Sequence, residues 1–92
     1  MSTTITLIVE RHKAKDVHYF LATYTVNRDG DGTLYTSEWK TDYDGKMVGQ
    51  DRSSSLTTGS CELQSAVVRA YAMRDEWFKR IADEWFKRLA GD

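Results

Sequence analysis

Apolar and polar residues alternate through the first half of the chain, and then the period changes. In residues 3–10, Ile5, Leu7 and Val9 fall on one side and Thr4, Thr6, Ile8 and Glu10 on the other, the pattern of a half-buried strand. A charged connection at 11–16 leads into residues 17–26, which are rich in aromatic and β-branched side chains. Phe20, Ala22, Tyr24 and Val26 share one face of this second strand. The run NRDGDG at 27–32 is a turn by composition. Residues 33–43 read as a third strand, with Tyr35, Trp39 and Tyr43 on one face and Glu38 and Lys40 on the other. Asp44-Gly45 is a hairpin signal that returns 46–50 as a short fourth strand, and a Ser/Thr/Gly loop follows at 51–59.

From residue 60 to residue 90 the spacing is helical. Leu63, Val67, Ala70, Tyr71, Trp77, Phe78, Ile81, Trp85 and Leu89 gather on one broad face. Ser60 is placed to cap the N-terminus with Glu62 in the first turn, and Gly91 to end the helix in a left-handed conformation. Asp75–Lys79, Glu76–Arg80, Asp83–Lys87 and Glu84–Arg88 are acidic-to-basic pairs four residues apart, a solvated helix surface. Arg74 falls inside the apolar stripe, where it must extend to water or meet an acidic partner.

The end of this helix repeats itself, DEWFKRIA at 75–82 and DEWFKRLA at 83–90. Eight residues turn a helix about 80° past two full turns, so the two copies present different faces. Phe86 is thereby turned away from the stripe that holds Phe78, toward the side of Val68 and Ala82. A helix of about 30 residues is about 45 Å long, whereas a compact chain of this size is only about 30 Å across. Either the helix bends or its last turns project.

These elements predict an α+β fold: an antiparallel meander of three to four strands, followed by one long C-terminal helix packed on one face. The whole chain, 1–92, is expected to be a single domain, with strands at about 3–50, a loop at 51–59 and the helix at about 60–90. The formal charge of −1 fits neither a general nucleic-acid binder nor a strongly acidic DNA mimic, so free DNA is not expected as the main partner. A single cysteine, Cys61, and an apolar N-terminal run too short for a signal peptide or a membrane span point to a cytoplasmic protein.

The most specific local pattern is NRDGDGTLYTSE at 27–38, which resembles the calcium-binding loop of an EF-hand. In that reading Asn27, Asp29, Asp31, Thr33 and Glu38 are the ligands and Gly32 makes the sharp turn. The flanks are not helical, and an Asp- and Gly-rich hairpin explains the same residues. His12 and His18 have no ligand-spaced partners, Cys61 has no evident histidine partner, and no phosphate loop or nucleophile elbow is present. The chain therefore reads as non-catalytic and without a cofactor.

Basic residues are spread over the turns. In a meander, Arg28 and Arg52 fall at one end of the sheet, and Arg11, Lys13, Lys15 and Lys46 at the other. Taken as a whole, from MSTTITLIVERHK to DEWFKRLAGD, the chain resembles the small phage-encoded anti-CRISPR proteins, particularly inhibitors of type I-F surveillance complexes. The resemblance implies a stoichiometric protein-binding inhibitor in the host cytoplasm. Its partners would be subunits of an RNA-guided complex, with the guide-RNA backbone as a further contact, and it would block target-DNA binding or nuclease recruitment. The residues expected to touch such a partner are Arg28, Asp29, Asp31, Lys40, Lys46, Arg52 and Phe86. Two other readings stand beside it: a calcium-binding module at 27–38, and a protein that self-associates through its repeat-bearing helix.

Overall fold

The computed structural model describes residues 3–28, 30–48 and 60–90, apart from the side chains of residues 85 and 88–90. Strands β1 (Thr3–Lys13), β2 (Val17–Val26) and β3 (Gly32–Thr41) form an antiparallel sheet in the order β1-β2-β3. One helix, α1 (Leu63–Ala90), follows them. The architecture is α+β, as the change of period predicts.

The first strand carries a correction. A bulge lies between Thr6 and Ile8, so Ile5 stands opposite Tyr24 and Ile8 opposite Ala22. An extra residue in a period-two element reverses every later side chain. Ile8 is therefore buried under the helix, while Val9, expected on the inner side, is 69% exposed. The helix-facing row continues with Glu10 and His12, and β1 runs three residues past the expected boundary to a tight turn at 14–16.

Both hairpin turns in the rest of the sheet have one design. In the first, the Asn27 N–H donates to the Asp31 carbonyl (2.7 Å) and the Gly30 N–H to the Asn27 carbonyl (3.2 Å). In the second, the Asp42 N–H donates to the Lys46 carbonyl (2.8 Å) and the Gly45 N–H to the Asp42 carbonyl (3.1 Å). Gly30 and Gly45 take φ of +91° and +88°, a region that favours glycine. The Asp42 carboxylate also accepts from the Asp44 and Lys46 N–H groups, both at 2.9 Å. The Asp-Gly signal thus closes a five-residue turn. Among the described residues after it the chain forms an isolated bridge, Thr41 to Met47, with the Val48 N–H donating to the Lys40 carbonyl, rather than the expected fourth strand. Residues 49–59, including the rest of that strand and the expected loop, lie outside the described residues.

Tyr43 was expected to extend β3, but it falls in the second turn, where its phenol donates to the Ala14 carbonyl across the end of the sheet. Val17 and Thr41, paired in the last row at this end, are buried.

The helix starts later than Ser60. Cys61 is held by two backbone bonds to Gly32, Gly32 N–H to Cys61 carbonyl at 3.0 Å and the reverse at 2.9 Å, and so is extended. The first helical bond runs from the Ala66 N–H to the Glu62 carbonyl, which puts Glu62 before the helix and leaves no acid in its first turn. Gly91 lies outside the described residues.

The buried face of α1 is Ala66, Ala70, Trp77 and Ile81, with Met73 packed beside them. Leu63, Tyr71 and Phe78, assigned to that face by periodicity, are 45–47% exposed. The small residues explain the rotation, because Ala66 and Ala70 let the helix backbone approach the sheet where Leu63 and Tyr71 would hold it off. Across the interface lie Ile8, Phe20, Ala22, Tyr24 and Leu34, and Trp77 meets Phe20 at 5.6 Å between ring centroids.

Two ion pairs flank that ring contact. Glu10, Phe20 and Glu38 form one row across the three strands. On the helix, Arg74 and Arg80 lie three residues either side of Trp77, about 60° to each side of it. Arg74 Nε lies 3.2 Å from Glu10, an ion-pair contact without hydrogen-bond alignment, and its guanidinium also lies 5.9 Å from the Tyr71 ring centroid. Arg80 Nη2 donates to both Glu38 oxygens at 2.8 Å. The acidic partner that Arg74 needs is therefore on the sheet.

Candidate functional site

The helix is longer than the sheet beneath it. It begins near the β2–β3 turn and runs toward the other end, where the Phe78 ring meets His12 edge-on at 5.2 Å. One strand residue, Lys13, follows His12 before the turn. Twelve helical residues follow Phe78, about 18 Å at 1.5 Å per residue. The protein accordingly measures 54 × 24 × 17 Å, with a radius of gyration of 15.2 Å, against about 12 Å for a compact chain of this length. The helix projects.

The repeat shows where support ends. Glu84 follows Trp77 by seven residues, so it points within about 20° of the same direction. A carboxylate there would be buried if the sheet continued, but Glu84 is exposed. Phe86 on the overhang is 62% exposed.

The overhang shares its end of the sheet with the 14–16 and 42–46 turns, so Lys40, Lys46 and Phe86 belong to one end of the molecule. Lys15 is exposed in the same region, as the meander argument requires, and so are Tyr43 and Met47, at 65% and 48%. Arg28 and Asp31 sit at the opposite end, ten strand residues or about 34 Å away. One contact patch does not take in both ends. Asp29 and Arg52 lie outside the described residues.

The fold also separates the residues of the calcium-loop pattern. Asn27 and Asp31 close a turn, whereas Thr33 and Glu38 are strand residues on opposite faces of β3. Glu38 stands opposite Phe20 in mid-sheet and is held by Arg80. The seven residues from Asp31 to Glu38 span roughly 23 Å of extended chain. Gly32, which the pattern assigns to a sharp turn, is in the ladder opposite Val26. The described members of the ligand set therefore do not converge. Among the described residues no three His, Cys, Asp or Glu side chains group closely enough to hold a metal ion.

His18 links the overhang to the sheet. It lies between His12 and Lys40 in one cross-strand row under the helix. Burial lowers its pKa, opposed by the negative charges of Glu84 and Asp16 and reinforced by Lys40 and His12. The folded state thus prefers the neutral imidazole. An unfolded histidine titrates near 6.5 (about that value in peptides), so the unfolded chain takes up this proton first as pH falls. Stability contributed here is present above that value and is lost as pH falls from there to the lower folded value. Thermal unfolding followed from pH 7.5 to 5.5 should show a falling midpoint that His18→Gln flattens. Glu84→Gln should steepen it, because it removes the charge that opposes the shift. Identical profiles in all three proteins would refute this assignment.

The sheet face away from the helix has its own order. Arg11, Tyr19 and Trp39 form one cross-strand row on it. The Tyr19 and Trp39 rings are stacked, 5.1 Å apart and 7° from parallel, and the Arg11 guanidinium lies 6.0 Å from the Tyr19 centroid. Tyr35, on the same face four residues before Trp39, is 39% exposed. Sequence reasoning paired Tyr35 with Trp39 but did not connect them to Tyr19 and Arg11. The alternation of 17–26 contained that signal: once Phe20, Ala22 and Tyr24 go inward, Tyr19 must go out.

No described helix is long and apolar enough to cross a membrane. No family model, curated protein or solved structure matches the chain.

Proposed function

We propose that the protein is a non-catalytic binding protein that acts as a stoichiometric inhibitor and engages its partner with the end of the molecule formed by the helix overhang and the 42–46 turn. The observation that carries this reading is the overhang itself. A helix that only had to cover the sheet would end near Ile81. This one continues to Ala90 and carries the exposed Phe86 at the same end of the molecule as Lys40, Lys46 and the exposed Tyr43. Exposed aromatic side chains ringed by charge are typical anchors of protein interfaces.

The partner class rests on the whole-chain resemblance. The proposed target is a type I-F RNA-guided surveillance complex, with Lys46 and Lys40 meeting carboxylates or guide-RNA phosphates and the protein blocking access of target DNA.

The test mixes the protein with an assembled type I-F complex and follows co-elution and target-duplex binding. Co-elution with loss of target binding is expected. Lys46→Glu and Phe86→Glu should each weaken association by at least about tenfold while leaving the fold intact. Co-elution with unchanged target binding would redirect the mechanism to nuclease recruitment, and no co-elution would sink the proposed target. Sedimentation of the wild type beside Phe86→Glu tests self-association through the same overhang, which requires a wild-type dimer that the variant loses.

A further inference from the structure

We infer that the helix-free face of the sheet is a second binding surface, and that its ligand is single-stranded nucleic acid. The surface is separate from the overhang, and the inference does not depend on the proposed target.

The argument starts from register. Side chains on this face alternate strictly with those under the helix, so the pairings assign each described strand residue outside the bulge to one side. Both strand carboxylates, Glu10 and Glu38, point toward the helix, where Arg74 and Arg80 hold them. Among the strand residues, the groups charged at neutral pH on the open face are Arg11 and Lys13, both exposed. A chain of net charge −1 thus carries one face with positive charge and no strand carboxylate. The whole-chain balance conceals this segregation because the described acids lie under the helix, on the helix, just before it and in the turns.

Cations alone would suit any anion. The aromatic arrangement narrows the choice. Arg11, Tyr19 and Trp39 form a continuous guanidinium–phenol–indole row. Tyr35 is a second station on the same face, four residues or about 14 Å along β3. Bases stack on such π surfaces without regard to sequence, while flanking cations neutralise the phosphates. Val17 and Thr41, in the last row of this face, are buried, and most of its other side chains are threonine and serine hydroxyls, groups able to donate to phosphate or base edges. A protein partner would use the same aromatics, but it would not favour removing every strand carboxylate from the face. Charge complementarity therefore selects the polyanion.

The test uses the full chain and two fluorescently labelled probes, twelve-residue oligouridine and oligothymidine, with fluorescence anisotropy as the readout. Binding is expected with a Kd on the order of 10⁻⁵ M at physiological salt. The slope of log affinity against log salt should be about −1.4, the value for two phosphate contacts on a single strand. Trp39→Ala and Tyr35→Ser should each weaken binding about tenfold. Trp39→Phe should retain most of it, which separates stacking from a folding defect, and Arg11→Ser should flatten the salt slope. A preference for oligouridine would identify RNA as the ligand, and equal affinities a stacking surface indifferent to the sugar.

Lys46→Glu and Phe86→Glu, which test the overhang, should leave oligonucleotide binding unchanged. Failure of the surveillance-complex experiment is thereby distinguishable from failure here. Absence of binding at about 1 mM protein would overturn the inference. Binding that survives both Trp39→Ala and Tyr35→Ser would also overturn it. So would loss of a protein complex in those two variants when neither oligonucleotide binds, an outcome that would assign the face to a protein.

Discussion

Trp77→Ala should destabilise the protein by about 3–5 kcal/mol, the largest loss expected from one truncation. The ring is 3% exposed and packs on Phe20, which is fully buried. Its neighbours one turn away on the core side, Met73 and Ile81, are themselves packed against the core and fill the space left behind only in part. Arg74 and Arg80 hold the helix to Glu10 and Glu38 on either side, so the cavity cannot close by moving the helix down without disturbing both ion pairs. A domain of this length has a total stability of about 5–14 kcal/mol, and the change corresponds to a fall in Tm of roughly 15–30 °C. Val68→Ala, at a position 68% exposed, should stay within about 0.5 kcal/mol of the wild type. Thermal and urea unfolding measure both variants. A Trp77→Ala midpoint within about 5 °C of the wild type would show that this ring does not anchor the helix.

Gly32→Ala should come next, with a loss of about 3 kcal/mol. A Cβ at this position would lie 2.3 Å from Tyr24 Cζ and 2.6 Å from the Thr25 carbonyl oxygen, both far inside van der Waals contact. Rotation of the Tyr24 ring would relieve only the first contact, because the backbone oxygen is fixed in the β2–β3 ladder. Overpacking of this kind costs about 1–3 kcal/mol, and the displaced groups carry hydrogen bonds worth about 1 kcal/mol each. Those bonds matter to the whole fold. The Tyr24 phenol donates to the Cys61 carbonyl at 2.6 Å, and Gly32 exchanges two backbone bonds with Cys61. Together they fasten the chain just before α1 to the sheet. Burial first, then the nearby Cys61 and Asp31, pushes the Tyr24 pKa up, so the phenol stays a neutral donor. Gly30→Ala and Gly45→Ala meet no atom within 4 Å. Their cost is confined to the positive φ, about 1–2 kcal/mol each. Gly32→Ala combined with Tyr24→Ala should lose less than the two single changes added together, since they compete for one space. Strict additivity would disprove the steric account.

The residues of the proposed sites differ in how far they can be read from the chain. Phe86 is legible, because an eight-residue repeat on a helix of 3.6 residues per turn cannot keep its second copy on the same face. Arg74 is legible as an ionic position, but its partner Glu10 is not, because β1 changes face at a bulge that no glycine or proline marks. Glu38 looks like the last ligand of a metal loop when the chain is read as a string. It becomes an ion-pair partner once seven residues of strand carry it away from the turn. Arg11, Tyr19 and Trp39 come from three strands and meet only through their pairing.

The sequence by itself determined the α+β order of elements, the meander, the positions of both glycine turns and the presence of one long helix after the strands. These follow from period, turn chemistry and rise per residue, which are local. Only the tertiary structure decided which side of β1 faces inward, where the helix starts and how it is rotated. Each of those depends on a contact between distant residues. The bulge places Ile8 under the helix, Cys61 is captured by Gly32, and Ala66 and Ala70 admit the close approach that puts Trp77 on Phe20. Once these contacts form, the overhang, the ion-paired strand carboxylates and the aromatic face away from the helix follow from geometry. A strand's register and a helix's azimuth are set by the surface they pack on, not by the propensities of their own residues.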